Sequence, residues 1–247
     1  MNEYEDIFAV RGSRYDKAMR SQPKAREEEF KQIISRAYLK SGEYVADVPA
    51  GGGYLQAFLP ADCEYWGHEP CKTFTVHGDI PDKENELLPL PWKNQSVDVV
   101  MSLAGLHHFE DKRPFFSETY RVLKSSGRFV ISDVSTDSPQ ARFLDEYVGN
   151  NNSTGHKGIY LDDTTLEDLE EENWRIQKKE QVNFYWNFQS EDEMAIFCNA
   201  LFDIVKADKK KTIAAINEYL SAVTFPDDSI GMQWSLMTIV SQKNQKE

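Results

Sequence analysis

Between Val45 and Leu59 the chain reads VADVPAGGGYLQAFL: a short apolar run, an acid, a proline, three consecutive glycines and then an apolar-periodic segment. No other stretch limits the fold so tightly. A buried strand running through glycines into a helix is the opening of a β-α unit. In an open α/β sheet such a turn lies beyond the carboxyl ends of the strands, where ligands bind. Gly51, Gly52 and Gly53 tolerate dihedrals closed to other residues, and their lack of side chains lets backbone approach a ligand closely.

The flanking pattern supports a sheet of this kind. Residues 16–40 read as helix, with Phe30, Ile33, Ile34, Ala37 and Tyr38 at helical spacing, Pro23 starting the main part and Ser41-Gly42 stopping it. YVADV predicts a first strand, YLQAFL a helix, EYWGHEP a second strand ending on Glu69, TFTVHGDI a third and SVDVVMSLAGL a fourth. PFFSETYRVL then predicts a helix and SSGRFVISDV a turn and fifth strand. Alternation throughout Val45–Val134 implies a parallel sheet with helices on both faces. Beyond it, Asp145–Gly158 is polar and rich in Asn and Gly, as a mobile loop would be. An acidic helix (TTLEDLEEEN), a strand (WRIQKKEQVNFYW), two helices (SEDEMAIFCNALFDIV and KKTIAAINEYL) and an apolar last strand (MQWSLMTIVSQK) follow.

The glycines fit neither common phosphate motif. A P-loop needs Lys-Ser/Thr after its last glycine, and the dinucleotide fingerprint needs a third glycine where this chain has Gln56. The acids around them suit other chemistry. Glu69 can accept hydrogen bonds from both hydroxyls of a ribose, Asp79 can reach an exocyclic amine of adenine, and Asp47 can hold an ammonium group. Asp79 can equally be a turn residue in HGDIPD. Ribose, adenine and an amino acid without phosphates describe S-adenosylmethionine (SAM).

The ordered series VADVPAGGGYL, EYWGHEP, GDI and LPLPWKNQSVDVVMSLAGLHHFEDKRPFFSETYRVLKSSGRFVISDV resembles the motifs of class I SAM-dependent methyltransferases over about residues 44–134. The likeness is greatest to the small-molecule branch (methyltransferase type 11) that holds quinone- and biotin-pathway methyltransferases. Pro49 and Ala50 stand where that motif has Gly or Cys, and Ser125-Ser126-Gly127 replaces its Pro-Gly-Gly turn. The resemblance implies a Rossmann-like, doubly wound, mostly parallel seven-stranded α/β sheet with N-terminal helices and a helical lid inserted before the last strand, at about Gln189–Asp228. It implies one domain over 1–247, with a helical cap at 1–40, a SAM-binding core at 41–134 and substrate-side elements at 135–247. It further implies that Asp47, Ala50, Gly51 and Gly53 contact the methionine moiety, that Glu69 and Pro70 hold the ribose, and that Asp79 and Ile80 frame the adenine. Ser102, Leu103 and Ala104, in the run to Leu106, would line the cofactor's other side. RGSRYD (Arg11–Asp16) resembles an element that closes over the methionine end, with Tyr15 as its contact.

SAM carries its own activation, so methyl transfer asks the protein mainly for positioning, worth about 7–11 kcal/mol of barrier, and for a base where the acceptor must lose a proton. His107 and His108 stand at the mouth of the expected pocket and titrate in the right range. His108 is the preferred base, although the pair can equally do no more than shape the loop. His156 is a further candidate, or an exposed loop residue. NFYWNF (Asn183–Phe188) places four aromatics in six residues, which suits a flat or apolar acceptor or a cationic amine over a ring face. Met194, Phe197 and Phe202 read as core more than pocket.

The reading is thus an enzyme that moves methyl from SAM to an O, N or C nucleophile of a small-molecule metabolite, leaving S-adenosylhomocysteine (SAH). A catalytically inactive SAM-binding scaffold or regulatory protein, and a SAM-fold enzyme of non-methylating chemistry, stay open. Net charge is −13, which repels phosphate backbones and argues against nucleic acid as partner. The acids concentrate in Asp145–Glu193, thirteen against four Lys and Arg, as a solvated face would. Cys63, Cys71 and Cys198 lack metal or disulfide spacing, so a cytoplasmic setting without metal is expected. No run of about 18 apolar residues predicts a membrane span, and the acidic N-terminus does not read as a signal peptide. Monomer and homodimer both stay open.

Overall fold

The computed structural model describes residues 3–74 and 86–244. Most of the expected third strand, with Asp79 and Ile80, lies outside the described residues.

Two helices lead the chain, α1 (Glu3–Ser21) and α2 (Glu27–Ala37). Pro23 falls in the turn between them rather than starting α2. β1 (Tyr44–Asp47), a 3-10 turn over Tyr54–Phe58 where a helix is predicted, β2 (Glu64–Gly67), β3 (Val97–Leu103), α3 (Arg113–Val122) and β4 (Leu123–Asp133) form the first half. Next come α4 (Pro139–Arg142), a π-helical stretch Phe143–Val148 and α5 (Gly149–Asn151), run together. α6 (Asp163–Glu171), β5 (Trp174–Phe188), α7 (Glu191–Leu201), α8 (Lys209–Tyr219), β6 (Ala222–Thr224) and β7 (Ile230–Lys243) complete the chain.

Among the described residues seven strands make one sheet in the order β2-β1-β3-β4-β7-β5, with β6 paired to β7. β2, β1, β3 and β4 run parallel, and β7 returns antiparallel between β4 and β5. β1, β3 and the second half of β4 are buried on both faces, which YVAD, VDVVMSL and RFVISD show as largely apolar runs, whereas the edge strand β2 is half-buried. Val45, Val99, Met101 and Val130 face Phe30 and Ile33 of α2, while Ala46, Val100, Phe129 and Ile131 face Phe115 and Phe116 of α3. The period of two sorts each strand into these two cores. Phe30, Ile33 and Ala37 recur at three- and four-residue spacing, so α2 buries one stripe. No described helix is long and apolar enough to cross a membrane.

Residues 145–158, expected as a mobile loop, are half helical, and Asp145 holds the rest. Its Oδ1 accepts from Gly158 N–H at 3.0 Å and from the Tyr160 hydroxyl at 2.6 Å, with His156 Nδ1 at 3.3 Å. α7 and α8 lie between β5 and β7, each capped by a side chain: Ser190 Oγ accepts from Glu193 N–H and Asp208 Oδ1 from Lys211 N–H. β1 has β2 on one side and β3 on the other, so the carboxyl end of β1 is the switch point where such sheets bind ligands.

Candidate functional site

At that point the glycine turn and the second strand's acid form one unit. Glu69 is buried two residues past β2. Its Oε2 accepts from Gly51 N–H at 2.8 Å and its Oε1 from Cys71 N–H at 2.8 Å. Gly51 and Gly53 have φ of +54° and +72°, left-handed values that favour glycine. A Cβ on Gly52 would lie 2.4 Å from the Tyr54 ring, so that position has no room for a side chain, whereas Gly51 and Gly53 are held to glycine by their φ. Burial pushes the Glu69 carboxyl up, against the hydrogen bonds it accepts. Asp47, at the end of β1, accepts from the Tyr65 hydroxyl at 3.0 Å. Burial, opposed by that bond and assisted by the Glu69 charge, pushes its carboxyl up to about 7.

Asp47, Ala50, Gly51, Leu103 and Ala104 line a cavity above this turn, together with Tyr4, Phe8, Tyr15, Arg26 and Phe74. Its free volume is about 50 Å3, room for a few waters and not for an adenosine. Tyr4 of α1 accounts for part of the shortfall: its hydroxyl donates to Glu69 Oε2 at 2.7 Å. The donor set nevertheless suits SAM. A buried carboxylate, a glycine turn lining the cavity and a second carboxylate one strand away suit an amino acid joined to a ribose, once α1 gives way.

A second cavity shares Phe8, Tyr15, Arg26 and Ala104 with the first, so the two are contiguous. Its free volume is likewise about 50 Å3, so an acceptor also needs its walls to give way, and its floor is aromatic. Trp186 and Trp234 stack with ring centroids 4.4 Å apart, and Phe202 lies 6.1 Å from each. Arg26 sits 4.9 Å over Trp186 and is held by Glu29, with Nη2 to Oε1 at 2.6 Å and Nε to Oε2 at 2.8 Å, while the Trp186 indole donates to the same Oε2 at 2.7 Å.

The other wall holds three histidines. His107 Nδ1 lies 2.7 Å from Asp133 Oδ1. Asp133 also accepts from the N–H of Leu106 at 2.8 Å, of His107 at 3.1 Å and of Val134 at 2.7 Å. Burial works to raise the Asp133 carboxyl, but His107 and these bonds hold it below its ordinary value. A carboxylate with this many donors is an acceptor, so His107 carries its proton on Nδ1 and Nε2 is left over. His108 and His156 complete the group, with ring centroids 4.0 and 5.7 Å from His107. Burial, joined by the neighbouring imidazoles and Arg11, drives His108 well below its ordinary value, and burial lowers His156 despite Asp145.

The structure thus brings together Tyr15, Asp47, Ala50, Gly51, Leu103 and Ala104 around one cavity, and His107 and His108 around the next, while Glu69 lies outside the first lining, bonded to the Gly51 amide and the Tyr4 hydroxyl. Gly53 shapes the turn, and Pro70 is buried beside Glu69. Ser102 lies one residue back along β3, buried, with no hydrogen-bond partner for its hydroxyl among the described residues. Met194 and Phe197 are core, whereas Phe202 lines the second cavity. Sequence reasoning missed Asp133 and Tyr4, and took Arg11 only as part of the Arg11–Asp16 element. Asp133 had a signal, as an acid ending an apolar strand.

Residues 47–131 match the family described as methyltransferase domain. The chain is 27% identical over 136 residues to the uncharacterized methyltransferase YcgJ of Bacillus subtilis, a match covering 51% of this chain and 53% of YcgJ, about half its length. The crystal structure of YcgJ superposes with a TM-score of 0.58 at 16% identity, over 89% of this chain and 100% of that one. A Haloferax volcanii protein solved in complex with the Trm112 methyltransferase activator gives 0.61 at 16% identity, over 100% and 99%. The geranyl diphosphate C-methyltransferase of Streptomyces coelicolor, solved with Mg2+, geranyl diphosphate and SAH, gives 0.54 at 12% identity, over 88% and 80%. These structural likenesses show the fold.

Proposed function

We propose that the chain carries a class I, SAM-dependent methyltransferase domain that methylates an O, N or C nucleophile of a small-molecule metabolite held in the aromatic cavity. The observation that carries this reading is the contiguity of two cavities: one lined by the Asp47–Gly51 turn, whose amide is tied to Glu69, and one lined by His107, which is held from behind by Asp133, with Tyr15, Arg26 and Ala104 in both. SAM, when bound, supplies a methyl group already activated on a sulfonium.

The residues supply placement and proton handling. Asp47 would hold the ammonium of the cofactor's amino-acid end, Gly51 and Gly53 would let it approach the backbone, and Glu69 would bind the ribose hydroxyls. Trp186, Trp234 and Phe202 would hold the acceptor by its flat face and exclude water. His107 would take the acceptor's proton on Nε2, with Asp133 fixing the tautomer and stabilising the imidazolium that forms. This assigns the base to His107 in place of the sequence-preferred His108, which is buried beside two further imidazoles and Arg11 and disfavoured as a proton acceptor. A cytoplasmic setting suits the three free cysteines.

The test is incubation with methyl-labelled SAM and a metabolite extract, with mass detection of labelled product. A labelled small molecule, formed by wild type and lost in His107→Gln, is expected. SAH binding without any labelled product would favour the scaffold reading.

A further inference from the structure

The second cavity contains a cation that the mechanism above does not use. Arg11, on α1, is only 5% exposed and lines the cavity with His107, His108 and His156. Its Nε and one terminal nitrogen are buried, with no hydrogen-bond partner among the described residues. The acids of this region are engaged elsewhere. Asp203 is bound by Arg14 and Ser153, and Glu29 by Arg26 and Trp186. An unpaired buried guanidinium is costly, and this one faces a cavity.

We propose that the methyl acceptor is a flat, apolar carboxylic acid whose carboxylate pairs with Arg11 while its body lies on the Trp186–Trp234 floor. The inference rests on the methyltransferase reading and names the substrate class for that site. The unmatched Nε and Nη1 lie on different edges of the guanidinium, so a carboxylate would pair with one of them through a charge-assisted hydrogen bond rather than span both. Arg26, the other arginine of the lining, is matched by Glu29, so Arg11 is left, among the described residues, as the one arginine there without a hydrogen-bonded acid, which suits a monoanion. The same guanidinium argues against the cationic amine that the aromatics alone would allow, since like charges would meet in a dry site.

The three histidines offer a rival occupant. Their ligand atoms lie within 4.8 Å of one another, and two of the rings contact carboxylates through Nδ1, as metal-binding histidines do. A divalent ion there would sit beside the Arg11 charge, which Asp203 offsets without a hydrogen bond and which already acts on His108 and His156. An anion is favoured by the same field that opposes the metal.

The experiment is calorimetry on the SAH-loaded protein with 4-hydroxyphenylacetate and its neutral amide, 4-hydroxyphenylacetamide. The acid should bind about 10- to 100-fold tighter than the amide, the worth of a charge-assisted pair in a buried site. Arg11→Gln should erase that preference, leave SAH affinity unchanged and raise or preserve the unfolding midpoint. Arg11→Lys should keep part of the preference. Equal binding of acid and amide, or binding of neither, overturns the proposal, as does a fall in the Arg11→Gln midpoint that marks the guanidinium as structural. An equal loss of SAH affinity in Arg11→Gln assigns the residue to the cofactor's own carboxylate. Stoichiometric Zn2+ binding that His156→Ala abolishes assigns the cavity to a metal. Failure of wild type to bind SAH at all overturns the parent reading, a result distinct from any outcome that concerns Arg11 alone.

Discussion

The Tyr4 hydroxyl donates to Glu69 Oε2 at 2.7 Å, on the same oxygen that accepts the Gly51 amide. A residue of the first helical turn thereby occupies the carboxylate proposed to bind the ribose. Neighbouring contacts hold α1 in that position: Glu5 Oε1 accepts from Leu87 N–H at 2.8 Å, and Thr73 Oγ1 donates to the Phe8 carbonyl at 2.6 Å. Cofactor entry then requires Tyr4 to leave, and its departure costs the hydrogen bond.

Tyr4→Phe should therefore tighten SAH binding by about tenfold, since a hydrogen bond to a charged group contributes on the order of 1.5–3 kcal/mol and the competitor is removed. Titration calorimetry of both proteins checks this. Unchanged or weaker binding would mean that Tyr4 stays in place when the ligand is bound. Amide exchange over the first turns of α1 should also change on adding SAH.

Asp47 gives a prediction in pH. Its carboxyl is pushed up to about 7 in the folded protein, against about 3.9 in an unfolded chain. The folded state thus holds the proton more tightly. The stability this contributes is fully present below about pH 4 and lost as pH rises towards 7. Asp47→Asn removes the penalty, so its stability advantage over wild type should grow by about 2–3 kcal/mol between pH 5 and pH 8. Binding runs the other way. The ionised carboxylate is the form that holds an ammonium, so SAM affinity of wild type should rise from pH 6 to pH 8 and that of Asp47→Asn should stay weak and flat. Urea titrations and calorimetry at the two ends separate these claims.

The His107–Asp133 pair predicts a tautomer. In 15N-labelled protein the His107 ring should carry its proton on Nδ1, with a downfield proton resonance, and Asp133→Asn should shift or lose that signal. Turnover of His107→Gln, once an acceptor is in hand, should fall by about 10²–10⁴-fold with SAH affinity retained. A ring protonated on Nε2 in the wild type would remove His107 as the base.

The parts of this site that were legible in the sequence are those written locally. The glycine turn, Asp47 and Glu69 sit at strand ends marked by apolar runs, and α/β alternation placed those ends on one side of the sheet. Asp133 escaped because its role depends on the turn after β3 folding back onto the end of β4, an encounter between residues 26 apart. His156 read as a loop histidine because nothing near it in sequence reveals that Asp145 folds the 145–158 segment against His107. Arg11 lay inside a motif that the resemblance assigned to the cofactor. Its meaning comes from the neighbours it lacks, and sequence does not record a missing partner.

Arg26 shows the opposite case, a buried cation fully matched, and it yields the last prediction. Its guanidinium contacts Glu29 through two nitrogens, the Tyr15 hydroxyl and the face of Trp186, while Glu29 and Arg26 are both almost wholly buried. Glu29→Leu would leave the cation unpaired and the Trp186 indole without its acceptor, so it should cost about 3–5 kcal/mol. Arg26→Met together with Glu29→Leu removes both charges and should recover most of that loss, because a buried pair is often replaceable by apolar side chains of similar volume. Urea midpoints at constant slope measure both. If the double variant is as unstable as the single, the pair holds α2 against β5 by geometry as well as charge, and the floor of the acceptor cavity depends on it.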